Sequence, residues 1–130
     1  MDSRFLSLLG LCKRAGKLAG GETLALEAIE AHKARLVLVT EDCSPRSLRK
    51  LTNACGDRVP LMQVALSRAA LGGALGWKAC AAVAVEDAGF AARLAEFVAQ
   101  AQPEYAALAE AVAARQEKLL RRKKEKPRKK

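Results

Sequence analysis

Short apolar runs alternate with amphipathic segments along most of the chain. The run at 36–40 is rich in leucine and β-branched residues, which is typical of a strand covered on both faces, and two further runs at 60–64 and 81–85 predict two more strands. Apolar residues spaced three and four apart predict helices over about 4–15 and 22–32, and three more that follow Ser44, follow Ser67 and carry Phe90 to Val98. The helix at 22–32 is expected to bury Leu24, Ala25, Ala28 and Ile29. The alternation predicts an α/β fold with helices on both faces of a small sheet.

Residues that begin helices stand at the expected places in this pattern. Ser44 and Ser67 are predicted N-caps, because a serine hydroxyl accepts hydrogen bonds from the free N–H groups of a helix start. An acidic pair follows the strands at 36–40 and 81–85, and we interpret both pairs as helix caps rather than magnesium ligands. Gly72 and Gly73 weaken their helix by about 1 kcal/mol each relative to alanine, which indicates either close packing or a mobile segment.

Pro103 marks a predicted boundary. Beyond it, a narrow apolar stripe on an alanine- and charge-rich helix consists of Tyr105, Leu108, Val112 and Leu119. This segment is too polar to be expected in the core. We therefore expect residues 1–101 to form one domain, and residues 102–130 to form a helical extension that ends in a disordered basic tail from Arg121 onward.

The net charge of +9 is concentrated in that extension. Residues 115–130 contain ten lysines and arginines against two glutamates, whereas the rest of the chain has 13 basic and 12 acidic residues. A basic run of this density is either a solvated tail or a segment that binds RNA without specificity and in a salt-dependent way. The total charge therefore says little about the surface of the folded part.

Residue types needed for metal or enzyme chemistry are scarce. The four cysteines are widely spaced without a C-x-x-C pair, and the only histidine, His32, ends a predicted helix as a surface or capping residue. This predicts reduced thiols, no metal site, no cofactor and no catalytic centre. The charge order of the N-terminus does not fit a secretory signal, and no stretch reaches the roughly 18 apolar residues of a membrane span. We expect a cytoplasmic protein that does not associate with membranes.

The loop before the second helix is the first candidate binding site. Gly20 and Gly21 allow a sharp turn that exposes backbone N–H groups at the positive end of the helix dipole, as in a phosphate site. The alternative is a loop that simply needs glycine before a core helix. Three cations follow the first helix and either favour its C-terminus or form a phosphate clamp: Lys13, Arg14 and Lys17.

The only tryptophan lies in a second candidate loop. Trp77 belongs to the segment 76–79, between the helix after Ser67 and the strand at 81–85. A tryptophan in such a connection either folds back on the core or is offered to a partner, and stacking on a nucleic-acid base is one use of the ring.

Three segments in order resemble a known family: LLGLCKRAGKLAGGE, KARLVLVTEDCSP and LGGALGWKACAAVAVEDAGFA. From about Phe5 to Phe97 the chain is similar to the kink-turn RNA-binding ribosomal proteins of the L-seven-Ae and L-thirty-e type, in particular to their bacterial YlxQ-like branch. The resemblance implies a three-layer α/β/α sandwich on a small mixed four-stranded sheet, plus the helical basic extension. Its fourth strand is expected to be short and to lie near 17–19.

The family binds sharply bent RNA through two places. A glycine-led start of the second helix, with the pattern G-x-N-E-x-x-K, reads guanine edges, and an apolar loop before the last strand packs on an extruded nucleotide. On this sequence the glycine is Gly21 and the loop is 76–79, but the Asn, Glu and Lys positions are occupied by Thr23, Leu24 and Glu27. Leucine cannot hydrogen-bond a base edge, glutamate repels phosphate, and Glu22 substitutes only if the loop shifts register.

The function implied is RNA binding by a ribosome-associated monomer that recognises a kinked or structured RNA. The alternative is a protein-interaction module of the same fold that has lost specific RNA recognition and uses the stripe after Pro103 to bind a partner. The residues predicted to contact RNA are Lys13, Arg14, Lys17, Gly20, Gly21, Glu22, Thr23, Glu27, Gly76, Trp77, Lys78 and Ala79.

Overall fold

The computed structural model describes residues 3–125, which form four strands and six α-helices. The strands are β1 (Leu18–Gly20), β2 (Leu36–Thr40), β3 (Leu61–Val64) and β4 (Ala82–Val85). The helices are α1 (Ser3–Arg14), α2 (Glu22–Glu30), α3 (Pro45–Cys55), α4 (Arg68–Ala74), α5 (Ala88–Ala101) and α6 (Ala106–Glu125), with a short 3₁₀ turn at Pro103–Tyr105. The disordered basic tail is predicted to begin at Arg121, but α6 continues through this part of the basic run to Glu125. The rest of the predicted tail lies outside the described residues.

The sheet has the order β1-β4-β2-β3 and is mixed. β4 runs antiparallel to β1 and β2, and β3 runs parallel to β2. At one end of the sheet the Gly21 N–H donates to the Ala82 carbonyl (2.8 Å), and at the other the Arg35 N–H donates to the Val85 carbonyl (2.7 Å). We call these the Gly21 end and the Arg35 end. At about 3.3 Å per residue, these strands hold the two ends about 10 Å or more apart.

Side chains alternate between two cores along the central strand β2. Leu36 and Leu38 pack with α1, α4 and α5, whereas Val37 and Val39 pack with α2 and α3. All five residues of β2 are buried, as expected for a strand covered on both faces. The three-layer sandwich with a mixed four-stranded sheet is therefore confirmed, with β1 one residue later than predicted.

The helix caps follow the sequence prediction with one change. The hydroxyls of Ser44 and Ser67 accept from backbone N–H groups of α3 and α4, and the Asp87 carboxylate accepts from the Phe90 N–H (2.8 Å) of α5. Asp42 does not cap α3, the next helix. Its carboxylate instead accepts from the Arg68 N–H (2.9 Å) and so caps α4, which ties the end of β2 to the start of a distant helix.

Leu24 corrects the predicted buried face of α2. Ala25, Ala28 and Ile29 are buried as expected, but Leu24 is 53% exposed. The two neighbouring apolar residues Leu24 and Ala25 point about 100° apart on a helix, and the smaller one faces the sheet. A large apolar side chain is thus left in solvent near the start of α2.

The segment after α5 covers the free edge of the sheet. β3 pairs only with β2, so its other edge carries unpaired backbone groups. The Gln102 side chain bonds the Ala65 N–H and the Gln63 carbonyl (both 2.9 Å), and the Tyr105 hydroxyl accepts from the Gln63 N–H (2.8 Å). These contacts block edge-to-edge pairing and anchor the start of α6.

The expectation that the extension lies outside the core is wrong for its first turns. Ala109 and Val112 are buried in the same core as α1 and α5, and Tyr105 and Leu108 pack against it. Tyr105, Leu108 and Val112 of the apolar stripe after Pro103 therefore cover the protein's own body and are not available to bind a partner protein.

The four cysteines are free and buried. Burial raises the pKa of Cys55 from 9.0 to about 11, and burial together with the Asp87 and Glu86 carboxylates raises the pKa of Cys12 to about 11 as well. Both thiols are therefore protonated at neutral pH, where they behave as small apolar core residues.

The two glycines of α4 give the first testable prediction. A Cβ atom on Gly72 would lie 2.6 Å from the Ala79 Cα, whereas a Cβ on Gly73 meets nothing within 4 Å. Gly72→Ala is therefore expected to lower the free energy of unfolding by about 1–3 kcal/mol through overpacking. Gly73→Ala is expected to raise it by up to about 1 kcal/mol through helix propensity. Urea unfolding of the two variants measures the difference, and equal effects would contradict the close packing of α4 on the 76–79 loop.

Candidate nucleic-acid interface

The 76–79 loop folds onto β1 so that the Trp77 ring lies against Gly20. A Cβ atom built on Gly20 would overlap the ring edge at Cη2 and Cζ3, so only glycine fits under the indole. The backbone N–H of Trp77 donates to the Gly72 carbonyl (2.7 Å), and this bond holds the loop in a tight turn after α4. Trp77 remains 37% exposed. The indole is thus seated on the backbone of the glycine loop while part of its surface faces solvent.

Lys13 joins the same cluster from α1. Its Nζ lies 4.7 Å from the centroid of the Trp77 ring, a cation–π distance, and donates to the Leu75 carbonyl at the end of α4. The sequence left Lys13 as either a cation at a helix C-terminus or a phosphate clamp. In the structure Lys13 lies in the last turn of α1, as predicted, but its ammonium group bonds the C-terminal end of α4.

The start of α2 carries free hydrogen-bond donors beside this cluster. Gly21 is the N-cap with φ of 96°, a left-handed conformation that favours glycine, and it offers no side chain to cap the helix. Among the described residues, no acceptor bonds the backbone N–H groups of Glu22, Thr23 and Leu24. Such N–H groups at the positive end of a helix dipole suit phosphate or base oxygens.

Acidic groups flank the same end of the sheet. Burial is the main cause that raises the pKa of the Cys43 thiol, and the Glu22 and Asp42 carboxylates add to it, which indicates that both lie near Cys43. Asp42 also forms a 3.6 Å ion pair with Arg68. Burial raises the pKa of Cys80 too, against a smaller lowering by hydrogen bonds that include the Gly21 backbone. The Gly21 end is therefore of mixed charge rather than strongly basic.

The structure separates Lys17 from the other predicted site residues. Its carbonyl accepts from the Glu86 N–H (2.8 Å), so Lys17 lies at the Arg35 end, across β1 from Gly21. Glu27 is exposed and lies about one helical turn after Thr23 and Leu24, on the same side of α2. Lys78 and Ala79 are exposed in the 76–79 loop, and Gly76 has the φ of 76° that the turn requires. Arg14 is exposed and lines a groove between α1 and α4.

Two contributors were missed at the sequence level. The Arg68 carbonyl accepts from the Cys80 N–H (3.0 Å), and the Arg68 guanidinium forms an ion pair with Asp42. Arg68 thus links the end of the 76–79 loop to the end of β2. Leu75 supplies the carbonyl that fixes Lys13. No local sequence pattern indicates the contacts of Arg68 or of Leu75, since their partners are far apart in the chain.

Other site classes find no support within residues 3–125. No group of three or more His, Cys, Asp or Glu side chains in this range has the arrangement of a metal site. No helix in it is long and apolar enough to cross a membrane.

The contact between Gly20 and Trp77 gives a prediction that uses the single tryptophan as its reporter. Gly20→Ala is expected to displace the indole from this contact and expose more of it to solvent. Its fluorescence emission is then expected to shift to longer wavelength, and its quenching by acrylamide to increase. Gly10→Ala is the matched control, because a Cβ there meets nothing within 4 Å. Unchanged emission in the Gly20 variant would show that the ring does not rest on this glycine.

Comparison with known proteins places this geometry in a family. A model described as the ribosomal protein L7Ae/L30e/S12e/Gadd45 family matches residues 3–95. The RNA-binding protein YlxQ of Bacillus subtilis (strain 168) is 46% identical over 88 residues, which are 67% of this chain and 87% of that protein.

Two solved structures have the same fold. A protein with unknown function from Bacillus halodurans C superposes with a TM-score of 0.69 at 34% identity, over 75% of this chain and 98% of that one. The 15.5 kD RNA-binding protein of Giardia lamblia superposes with a TM-score of 0.60 at 25% identity, over 82% and 85%. The matched family model is named for ribosomal proteins and YlxQ is named for RNA binding, and these two matches confirm the prediction that the chain is not an enzyme. On its sequence and its fold, the chain belongs to the ribosomal protein L7Ae/L30e/S12e/Gadd45 family.

Proposed function

We propose that this protein binds a kinked or structured RNA, such as those of ribosomal subunits, through the Gly21 end of its sheet. It acts as a cytoplasmic monomer. Within the described residues the exposed large apolar side chains are Leu11, Leu24, Trp77 and Leu120, too few for the apolar core of an obligate dimer interface.

The observation that carries the proposal is the contact between the Trp77 ring and Gly20. This contact brings an exposed aromatic ring and the free N–H groups of α2 onto one surface, although they are more than 50 residues apart in the chain. RNA with unpaired or extruded nucleotides offers both partners, since a splayed base stacks on a ring and its backbone accepts from N–H groups. The names of YlxQ and of the Giardia protein, both RNA-binding, support the same class of ligand.

The mixed charge of the surface favours base and shape contacts over a dense phosphate clamp. Lys13, Arg14 and Lys78 supply cations there, but Glu22 and Asp42 oppose them. The α6 extension and the basic residues after it supply most of the general attraction to the RNA backbone. We therefore propose a division in which residues 1–101 recognise the RNA and residues 102–130 add salt-dependent affinity.

Removal of the aromatic ring tests the proposed recognition. Trp77→Ala is expected to weaken binding to a kink-turn RNA about 5- to 150-fold, since one base–aromatic stack is worth about 1–3 kcal/mol. Trp77→Phe keeps a ring and is expected to retain most of the affinity. Filter binding at two salt concentrations measures both variants against the same RNA and against a straight duplex.

Deletion of residues 123–130 is the control for general attraction. It is expected to weaken binding to both RNAs and to reduce the dependence on salt, while the preference for the kinked RNA remains. If both RNAs bind equally, Trp77→Ala changes nothing and the deletion abolishes binding, the protein attracts RNA only through its tail and the proposal is wrong.

The departures from the family pattern on α2 give a further prediction. Leu24 and Glu27 are both exposed, so changing them does not disturb the core. The double variant Leu24→Glu, Glu27→Lys supplies an acceptor for a guanine edge and a cation for phosphate. Its preference for kink-turn RNA over straight duplex is expected to rise about tenfold.

Glu30→Gln is the matched control for charge, because it makes the net charge more positive by the same amount as the double variant and Glu30 is an exposed glutamate at the far end of the same helix. It is expected to raise binding to both RNAs slightly and without preference. If the double variant behaves in the same way, the start of α2 does not read bases.

A further inference from the structure

A basic cavity lies at the Arg35 end of the sheet, away from the proposed RNA surface. It has a volume of about 320 Å³, is open to solvent on one side, and is lined by α2, α5 and α6 and by the segments that lead into β2 and β3. The polar side chains that line it are all basic: His32, Arg35, Arg58, Arg115, Lys118 and Arg122. The cavity exists because α6 docks on the body, so the basic residues of this helix become part of a built site.

Two hydrogen bonds link three of these basic residues to one another. The Arg115 guanidinium donates to the Arg58 carbonyl (2.6 Å), and the Arg58 guanidinium lies 3.2 Å from His32 Nδ1. Because arginine can only donate, His32 Nδ1 is the acceptor in this bond. Hydrogen bonds thus link Arg115 to Arg58 and Arg58 to His32 along the lining of the cavity.

No carboxylate in the described part of the chain forms an ion pair with the cations of the cavity. The ion pair recorded in that part, Asp42 with Arg68, lies at the Gly21 end, and no acidic residue lines the cavity. Carboxylates do line two neighbouring grooves: Asp57 in one that shares Arg115, and Glu86 and Asp87 in one that shares Arg35 and Arg122. The Asp87 carboxylate already caps α5. Clustered like charges repel one another, and a bound anion removes that repulsion.

The floor of the cavity is apolar. Its remaining lining residues are small or aliphatic: Ile29, Ala34, Val59, Ala88, Ala91, Val112 and Leu119. A hydrated inorganic ion gains no binding free energy from an apolar floor. A ligand that has both anionic groups and a flat organic body gains binding free energy from the cations and from the floor. The volume is at the lower end of the range of small-molecule sites and exceeds that of a single phosphate.

We propose that this cavity binds a nucleotide, with its phosphates on the arginines and Lys118 and its base over the apolar floor. The planar guanidinium groups bind phosphate oxygens in pairs and stack on bases, which suits both halves of such a ligand. The nucleotide is either free or part of a single-stranded RNA. The site is separate from the Gly21 end and does not depend on the RNA-binding function proposed above.

The test compares neighbouring arginines on α6. Both Arg121 and Arg122 are exposed on α6, but only Arg122 lines the cavity. Arg122→Glu and Arg121→Glu carry the same net charge and the same tail. Calorimetric titration of the full chain with ADP, at about 0.15 M salt to screen the tail, is expected to show at least about tenfold weaker binding for Arg122→Glu and little change for Arg121→Glu. Equal weakening, or no binding of ADP by the unaltered protein at millimolar concentration, overturns the proposal.

Two further ligands define what is bound. Pyrophosphate is expected to bind at least about tenfold more weakly than ADP, and equal binding shows an anion site without a base pocket, which also overturns the proposal. A 5′-phosphorylated trinucleotide that binds more tightly than ADP assigns the site to an RNA strand, and the reverse order assigns it to a free nucleotide. Trp77→Ala is expected to leave ADP binding unchanged, so failure of this site and failure of the Gly21 surface are distinguished.

Discussion

The contact between the Trp77 ring and Gly20 holds the candidate surface together. On one side it requires a strand residue without a Cβ, and on the other a loop turned sharply enough to bring the indole back over β1. That turn depends in its own way on a glycine, since Ala79 packs on the backbone of Gly72. Lys13 then closes the cluster by lying over the ring and bonding the end of α4. Backbone fit, rather than dense charge, therefore defines this surface.

The mixed sheet separates two different chemistries at its ends. The Gly21 end presents a ring and free N–H groups among charges of both signs, which suits a shaped ligand with unpaired bases. The Arg35 end presents clustered cations around an apolar hollow. The second end depends on α6, whose first turns are fixed by Gln102 and Tyr105 on the edge of β3 and by burial of Val112. An extension that looks like a simple basic tail is thus built into the body.

Local patterns were sufficient to predict most of the elements. The buried run of β2, the serine caps of α3 and α4 and the Asp87 cap of α5 depend on nearby residues, and all are found as expected. Leu24 was assigned to the wrong face because two adjacent apolar residues fit a helical repeat equally well. The choice between them depends on the space under α2, which the sequence does not reveal.

Contacts between distant segments were beyond the sequence analysis. Asp42 caps α4 rather than α3, and Lys13 bonds a carbonyl 62 residues away, because the fold brings those groups together. Docking of α6 was missed since polar side chains, not an apolar face alone, anchor it to the sheet edge. The basic cavity was invisible for the same reason, as its lining comes from segments that only the complete fold assembles.

The central claim is that RNA covers the exposed part of the Trp77 ring. Acrylamide quenching of the unaltered protein measures this directly, because Trp77 is the only tryptophan. The account predicts that saturating kink-turn RNA protects the emission from quenching, in step with binding. Full binding of the RNA with unchanged quenching would contradict it.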